Sequence, residues 1–358
     1  MTDQYLFGVI ARRPVAFAPG ETEAAQCEAA RVVWSGGLGA LVAPYRGAPL
    51  RDLDKPRLVR LLLHHQRMAE AAMAGGSVLP VRFGTVLPSF RHVQRLLRES
   101  SRFLHGALAT VAETVEVEVV ATWETAQVVQ QVAADPEVAA LRDQLAARAN
   151  VSVAERSGLG RLVKAHLDAR RTAFRERLFA AVAPVARDAI ANPLISDEMV
   201  FNVAFQVGAG DVDAFDDRVR QFDDACAGAI SLRTIGPLPP YSFASLEIIP
   251  VEADAVAHAL DVLGLRPGAS QAEVRRAYRL HAAAITRATD DPAGRAVALQ
   301  RVRRAADLLA PAGRERPATD ETRGHSPATT GTFRLSLRRA PSDQEEGLRF
   351  GASQEAAG

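Results

Sequence analysis

Apolar residues recur at every second position in two stretches of this chain. Val115, Val117 and Val119 alternate with Glu116 and Glu118, and Phe201, Val203, Phe205 and Val207 are interleaved with Asn202 and Gln206. Neighbouring strand residues point to opposite faces, so this period calls for strands with one covered and one wet face. Other stretches repeat at the helical period instead. Leu58, Leu61, Leu62, Met68, Ala69 and Ala72 form one stripe over residues 55–74, and Val93, Leu96, Leu97, Leu104 and Leu108 form another over 89–110. A third stripe, Val212, Phe215, Val219, Phe222 and Cys226, follows a capping Asp211. Neither an all-helical nor an all-strand fold accommodates both periods, so the expected class is α+β.

The remaining elements refine that class. Residues 5–10 are uniformly apolar, which suits a strand covered on both faces, and 39–45 is a further strand behind the Gly36-Gly37 turn. Val78 to Phe83 resumes extended structure after Gly75-Gly76 ends the first helix. Residues 126–190 read as helical, with Phe174, Leu178, Ala181 and Val185 on one face and Arg170, Arg171, Arg175 and Arg177 around them. Ile230 and Leu232 mark a returning strand, the proline-rich run from Gly236 to Pro240 a rigid break, and Tyr241 to Ile249 a further extended segment. The expected domains are an N-terminal α+β domain over 1–122, a helical segment with a small ferredoxin-like sheet over 123–250, a helical module over 251–311 and a disordered tail over 312–358. Within that tail, Thr332 to Arg338 is a candidate binding peptide.

Composition narrows the function classes. The 358 residues carry a formal net charge of +1, so no bulk field marks a nucleic-acid or membrane-surface binder. Two cysteines, Cys27 and Cys226, are too few for a disulfide framework or a zinc site and fit a reduced compartment. The first ten residues lack the basic and apolar regions of a signal peptide, and no run of about 20 apolar residues is present to span a bilayer. A cytoplasmic protein that does not insert into membranes is expected.

Reactive constellations are weak. His64 and His65 are adjacent, and adjacent helical residues point about 100° apart, whereas a helical zinc pair needs one full turn. These imidazoles are expected to be partly buried or at the surface and to make local hydrogen bonds. Gly36-Gly37-Leu38-Gly39 lacks phosphate-loop spacing, and Gly158-Leu159-Gly160, read as preceding a helix, lacks the lysine-hydroxyl ending. The pairs Asp216-Asp217 and Asp223-Asp224 read as solvated charge on a helix. No enzyme, cofactor or metal is expected.

Two segments stand out. In Leu79-Pro80-Val81-Arg82-Phe83-Gly84-Thr85, a proline interrupts an apolar strand, which restricts that strand to an edge or a bulge. Arg82 then supplies a planar cation suited to a carboxylate or a backbone carbonyl. Gly236-Pro237-Leu238-Pro239-Pro240-Tyr241-Ser242-Phe243 is a stiff turn that presents two aromatics. Core packing and partner binding explain Phe83 and Phe243 equally well. Pro80, Arg82, Phe83, Gly84 and Thr85, with Pro239, Pro240, Tyr241 and Phe243, are the candidate partner-binding residues.

These segments, preceded by Tyr5-Leu6-Phe7-Gly8-Val9 and by His64-His65 with Glu70-Ala71-Ala72-Met73, resemble the gas vesicle protein L/F family over residues 4–250. The resemblance implies a two-domain α+β protein needed for gas-vesicle formation. It also implies contact with the small hydrophobic shell protein and with other accessory proteins, association with gas vesicles, and no catalytic activity.

A second resemblance lies further on. Leu260 to Leu265, Pro267 to Ser270 and Glu273 to Arg279 are similar to the first half of a J-domain, and Ser270 with Glu273 forms a capping box. The second helix presents Val274, Ala277, Tyr278 and His281 on one face. A working J-domain carries His-Pro-Asp after this helix; here Thr286-Arg287-Ala288 stands in that place, and Asp290-Asp291-Pro292 does not restore it. That departure speaks against an Hsp70 partner and for an interaction or spacer module. A co-chaperone recruiting Hsp70 through residues 252–310 is the alternative.

Overall fold

The computed structural model describes residues 2–11, 30–226, 230–267, 269–288, 291–309, 328–330 and 333–340. The chain forms two compact units, one from Met1–Glu113 with Pro239–Arg339, the other centred on Thr114–Leu238.

The first unit opens with strands β1 (Asp3–Ala11), β2 (Arg31–Ser35) and β3 (Leu38–Tyr45), then helix α1 (Lys55–Met73). Strands β4 (Val78–Pro80) and β5 (Val86–Leu87) and helices α2 (Phe90–Glu99) and α3 (Ser101–Thr110) follow. The sheet runs β2-β3-β1-β4, with β5 also on β1, and every pairing of β1 is antiparallel. Residues 5–10 of β1, the uniformly apolar run, are covered on both faces, as their composition requires. Leu6 and Val9 pack with Val93, Leu96, Leu97 and Leu104 of α2 and α3. Tyr5, Phe7 and Ile10 pack on the other side with Leu61, Met68 and Ala72 of α1. The helix expected over 89–110 divides at Ser100, which ends α2 and precedes α3; serine hydroxyls compete with the helical backbone. On α1, Leu58 and Leu62 of the expected inward stripe are exposed, and His64 and His65 take the buried face. Leu61, Met68, Ala69 and Ala72 are buried as expected, and His64 and His65 complete the same helical face at i+3 and i+4 from Leu61, where they pack against Phe7 and Tyr5.

The second part of this unit corrects the expected tail. Strand β10 (Ser245–Pro250) leads into helices α8 (Ala253–Leu263), α9 (Gln271–Ala288) and α10 (Pro292–Leu309), and strands β11 (Ala328–Thr330) and β12 (Phe333–Arg338) follow. β12 pairs antiparallel with β10, from Ser245 opposite Arg338 to Pro250 opposite Phe333. Phe333 and Leu335 are fully buried in the cluster that holds Leu6, Val9, Leu246 and Ile248. The candidate peptide is thus a core strand, and residues 328–330 and 333–338 are not a disordered tail. Phe333, Leu335 and Leu337 alternate with polar neighbours, a period too short to outweigh the polar composition around it. The other residues of 312–358 expected to be disordered, apart from Arg339 and Ala340, lie outside the described residues. The three helices share their own apolar cluster, including Leu260, Leu263, Val274, Ala277, Val302 and Leu309. Gly264 closes α8 in the left-handed conformation (φ 62°). Ser270 and Glu273 make the capping box, with Glu273 N donating to Ser270 Oγ at 3.3 Å and Ser270 N to Glu273 Oε2 at 2.6 Å.

The second unit runs β6 (Thr114–Trp123), α4 (Thr125–Ala133), α5 (Pro136–Ala146), α6 (Val153–Val182), β7 (Ala186–Ala191), β8 (Met199–Gly208), α7 (Val212–Ala225) and β9 (Ile230–Leu238). Its sheet is antiparallel in the order β7-β8-β6-β9. Phe215 and Val219 of α7 are buried, with the Phe215 ring 5.2 Å from Phe205 of β8. Three expectations change here. The helix read to residue 190 stops at Val182, where Pro184 follows and β7 begins. Gly158 and Gly160 lie inside α6 and do not precede it. The boundary expected at 122/123 falls at Glu113/Thr114, so β6 belongs to the second unit, while Tyr241 to Ile249 belongs to the first. Alternation identifies a strand without naming its partners. Glu116 is also buried, on the face expected to be wet.

Candidate partner-binding site

The two unusual segments meet on one side chain. His65, 2% exposed, points from α1 into a cluster of rings. Its ring centroid lies 5.7 Å from Phe83 of the first segment and 6.0 Å from Tyr241 of the second. Tyr5 of β1 completes the arrangement. Its hydroxyl lies 3.1 Å from His65 Nδ1 and accepts the backbone N–H of Gly84, also at 3.1 Å. Tyr45 and Phe7 pack on Tyr5 at 5.9 and 5.0 Å, and His64 stands edge-on to Phe7 at 5.3 Å. Tilted and edge-to-face contacts of this kind are the favoured geometries for aromatic pairs.

Local backbone chemistry holds each segment in place. Pro80 ends β4 at the outer end of the sheet path, paired with Gly8, as a proline within a strand requires. The chain then turns: Thr85 N and Thr85 Oγ1 both donate to Arg82 O, at 3.2 and 2.7 Å, and Leu6 N donates to Thr85 O at 2.9 Å. Gly84 sits at φ +86°, where a Cβ would lie 2.8 Å from Leu50 Cδ2, so only glycine fits without strain. In the second segment Tyr241 N donates to Pro239 O at 2.7 Å and Ala244 N to Pro240 O at 2.9 Å. Pro239, Pro240 and Phe243 are buried, Tyr241 is half-buried, and Phe83, Gly84 and Thr85 are likewise partly covered.

Arg82 finds the carboxylate its chemistry suits. Its guanidinium pairs with Glu247 Oε1 on β10, and Glu247 Oε2 accepts Arg338 Nε at 2.8 Å and Ser336 Oγ at 3.1 Å from β12. The Glu247 side chain is only 6% exposed. Arg82 N donates to Leu246 O at 2.9 Å, and Val81 bridges Leu246 in parallel. The strand end at Pro80 to Arg82 is therefore engaged by β10. Arg339 lies over the Phe243 ring at 5.6 Å.

Electrostatics follow from this burial. Burial pushes the His65 pKa down to about 4; His64 beside it acts in the same direction, and the Val81 backbone opposes. His64 is lowered by burial and by the Arg67 charge. Both are therefore neutral at pH 7. Burial pushes the Glu247 carboxyl upward, but the hydrogen bond and charge of Arg338, the Ser336 hydroxyl and the Arg82 charge outweigh it, so the group stays below the usual range.

All nine candidate residues belong to the first unit. His65 brings Phe83 and Tyr241 together, while Arg82 shares Glu247 with Ser336 and Arg338 of β12, and Arg339, just after that strand, lies over Phe243. Tyr5, His65, Glu247, Ser336 and Arg338 were not among the expected site residues. One signal was available: Glu247 sits between Leu246 and Ile248 in an otherwise apolar strand, and a buried carboxylate demands cationic partners.

Fold and site together define an α+β protein of two units in which segments far apart in sequence converge on one buried histidine. Residues 4–245 match the model of the family described as gas vesicle synthesis protein GvpL/GvpF. The chain belongs to that family. It is 31% identical to gas vesicle protein F of Streptomyces sp. strain CB03234 over 60% of this chain and 87% of that protein. It is 26% identical to gas vesicle protein F of Nostoc sp. strain PCC 7120 over 52% of this chain and 78% of that protein. The crystal structure of GvpF from Anabaena sp. PCC7120 superposes with a TM-score of 0.59 at 20% identity, covering 68% of this chain and 98% of that one. The family match includes both unusual segments and stops at Ser245, so α8 to α10 and β12 lie beyond it.

Proposed function

We propose that this chain is an accessory protein of gas-vesicle formation that binds the small hydrophobic shell protein and other accessory proteins in the cytoplasm, without catalysing a reaction. The observation that carries this reading is the meeting of the two unusual family segments at His65, which leaves Arg82, Phe83, Thr85 and Tyr241 partly accessible on one unit. A rigid aromatic and arginine-bearing face suits the capture of an apolar subunit, because such anchors lose little freedom on binding. Strand addition at Pro80 to Arg82 is the less favoured route, since β10 already occupies that backbone. In this reading the second unit is a ferredoxin-like domain, and α8 to α10 are an interaction or spacer module that does not recruit Hsp70.

The test is capture of purified shell protein by the full-length chain, scored alongside Arg82→Ala and Tyr241→Ala. Retention that weakens at least ten-fold in the variants supports the site. Retention unchanged in both moves the interface elsewhere, and no retention by the unaltered chain removes the proposal.

A further inference from the structure

Strand β12 is bound by its unit as a peptide ligand is bound. Its backbone adds to the edge of β10 in antiparallel register over Phe333–Arg338. Alternate side chains enter the unit: Phe333 and Leu335 are fully buried among residues of β1, β10 and the α2–α3 pair, and Leu337 packs against the same cluster. The polar side chains are also read. Ser336 Oγ and Arg338 Nε both reach one oxygen of the buried Glu247 carboxylate, whose other oxygen is held by Arg82. Main-chain pairing for affinity, alternating pockets for specificity and one charged anchor are the components of strand-addition recognition.

We propose that the groove along β10 is a strand-binding site selective for the pattern Phe-x-Leu-Ser-x-Arg, filled here by the chain's own β12 and able to accept β12 from a second copy of the chain. The second copy is the occupant because its strand offers the same Phe333, Leu335, Ser336 and Arg338 to the groove. The chain linking Leu309 to Ala328 can extend by roughly 60 Å, which allows the strand to leave its own groove and enter a neighbour's. Exchange of an identical element is a low-cost route to association. The site also adjoins the candidate face. While β12 is out of the groove, Glu247 lacks Arg338 and Ser336, and Arg339 is off the Phe243 ring; a strand from the second copy restores all three contacts.

Hydrogen exchange on the full-length chain reads the first half of this proposal. Amides of Phe333–Arg338 are expected to open in a sub-global step that leaves β1 and β3 protected; opening of β12 only together with β1 and β3 overturns it. A fluorescent peptide of residues 328–340 reads the second half. It is expected to bind the full-length chain, to bind Phe333→Ala chain at least ten-fold more tightly, and to lose at least ten-fold when the peptide carries Arg338→Ala. Should Phe333→Ala fail to fold, Leu335→Val replaces it as the weakened chain. Equal binding of both peptides, or none, overturns the assigned specificity. Two differently tagged full-length chains mixed at high concentration are expected to form mixed dimers competed away by the peptide; dimers that ignore the peptide, or exclusively monomeric chains, overturn the exchange.

Discussion

The hydroxyl of Tyr5 lies between His65 Nδ1 and the backbone N–H of Gly84, 3.1 Å from each. One phenol thereby couples the first strand, the buried face of α1 and the turn behind Pro80. Tyr5→Phe keeps the ring and removes that junction, leaving a buried imidazole nitrogen and an amide without this partner. The expected loss is about 1–3 kcal/mol, read as a lower urea midpoint at unchanged slope.

Acid should weaken the fold through His65 before the carboxylates respond. The folded-state pKa of about 4 lies below the ordinary value of 6.5, so between these limits the unfolded chain binds the proton more readily. Stability is fully present above pH 6.5 and falls as pH drops toward 4, by about 3 kcal/mol in total for this shift. His64 adds in the same direction. Denaturant midpoints for His65→Gln should decline less steeply over that range, and a slope equal to that of the unaltered chain would remove His65 as the cause.

Glu247 predicts non-additive mutations. Arg82→Ala and Arg338→Ala each leave one cation on the carboxylate and should cost about 1 kcal/mol. The double variant strands a buried charge, for which about 3–5 kcal/mol is expected. Additive costs in a double-mutant cycle would show that the two cations act independently.

Truncation after Leu309 removes a core strand. Phe333→Ala alone is expected to cost about 3–5 kcal/mol, because it empties a fully buried site. The truncated chain should melt at a markedly lower temperature, whereas a passenger tail would leave the melting temperature unchanged.

Gly84→Ala tests the turn. With φ at +86° and Leu50 Cδ2 2.8 Å from the added carbon, a loss of about 1–3 kcal/mol is expected, measured by chemical denaturation.

The periodicities that span many residues were legible. The strands at β1, β3, β6 and β8, the helices α1 and α7 and the helical character of 252–309 follow from composition and spacing. What escaped depended on partners. Val115 to Val119 announce a strand, yet its neighbours β8 and β9 become known only when the sheet forms. His64 and His65 read as partly buried or surface imidazoles with local hydrogen bonds, whereas both are buried and His65 bonds Tyr5, 60 residues away. At the site, Arg82 called for a carboxylate or a carbonyl, but the choice of Glu247, 165 residues away, rests on long-range pairing that local sequence does not encode. β12 was hidden because six residues of alternation carry little weight in a polar neighbourhood.

Pro250 and Phe333 are direct partners across two strands. The stretch between them therefore begins and ends at neighbouring backbone positions, as the two ends of an insertion do. Such geometry frees its length from the geometry of the scaffold, so lineages could enlarge, shrink or exchange what lies between these two residues while both family segments stay where they are.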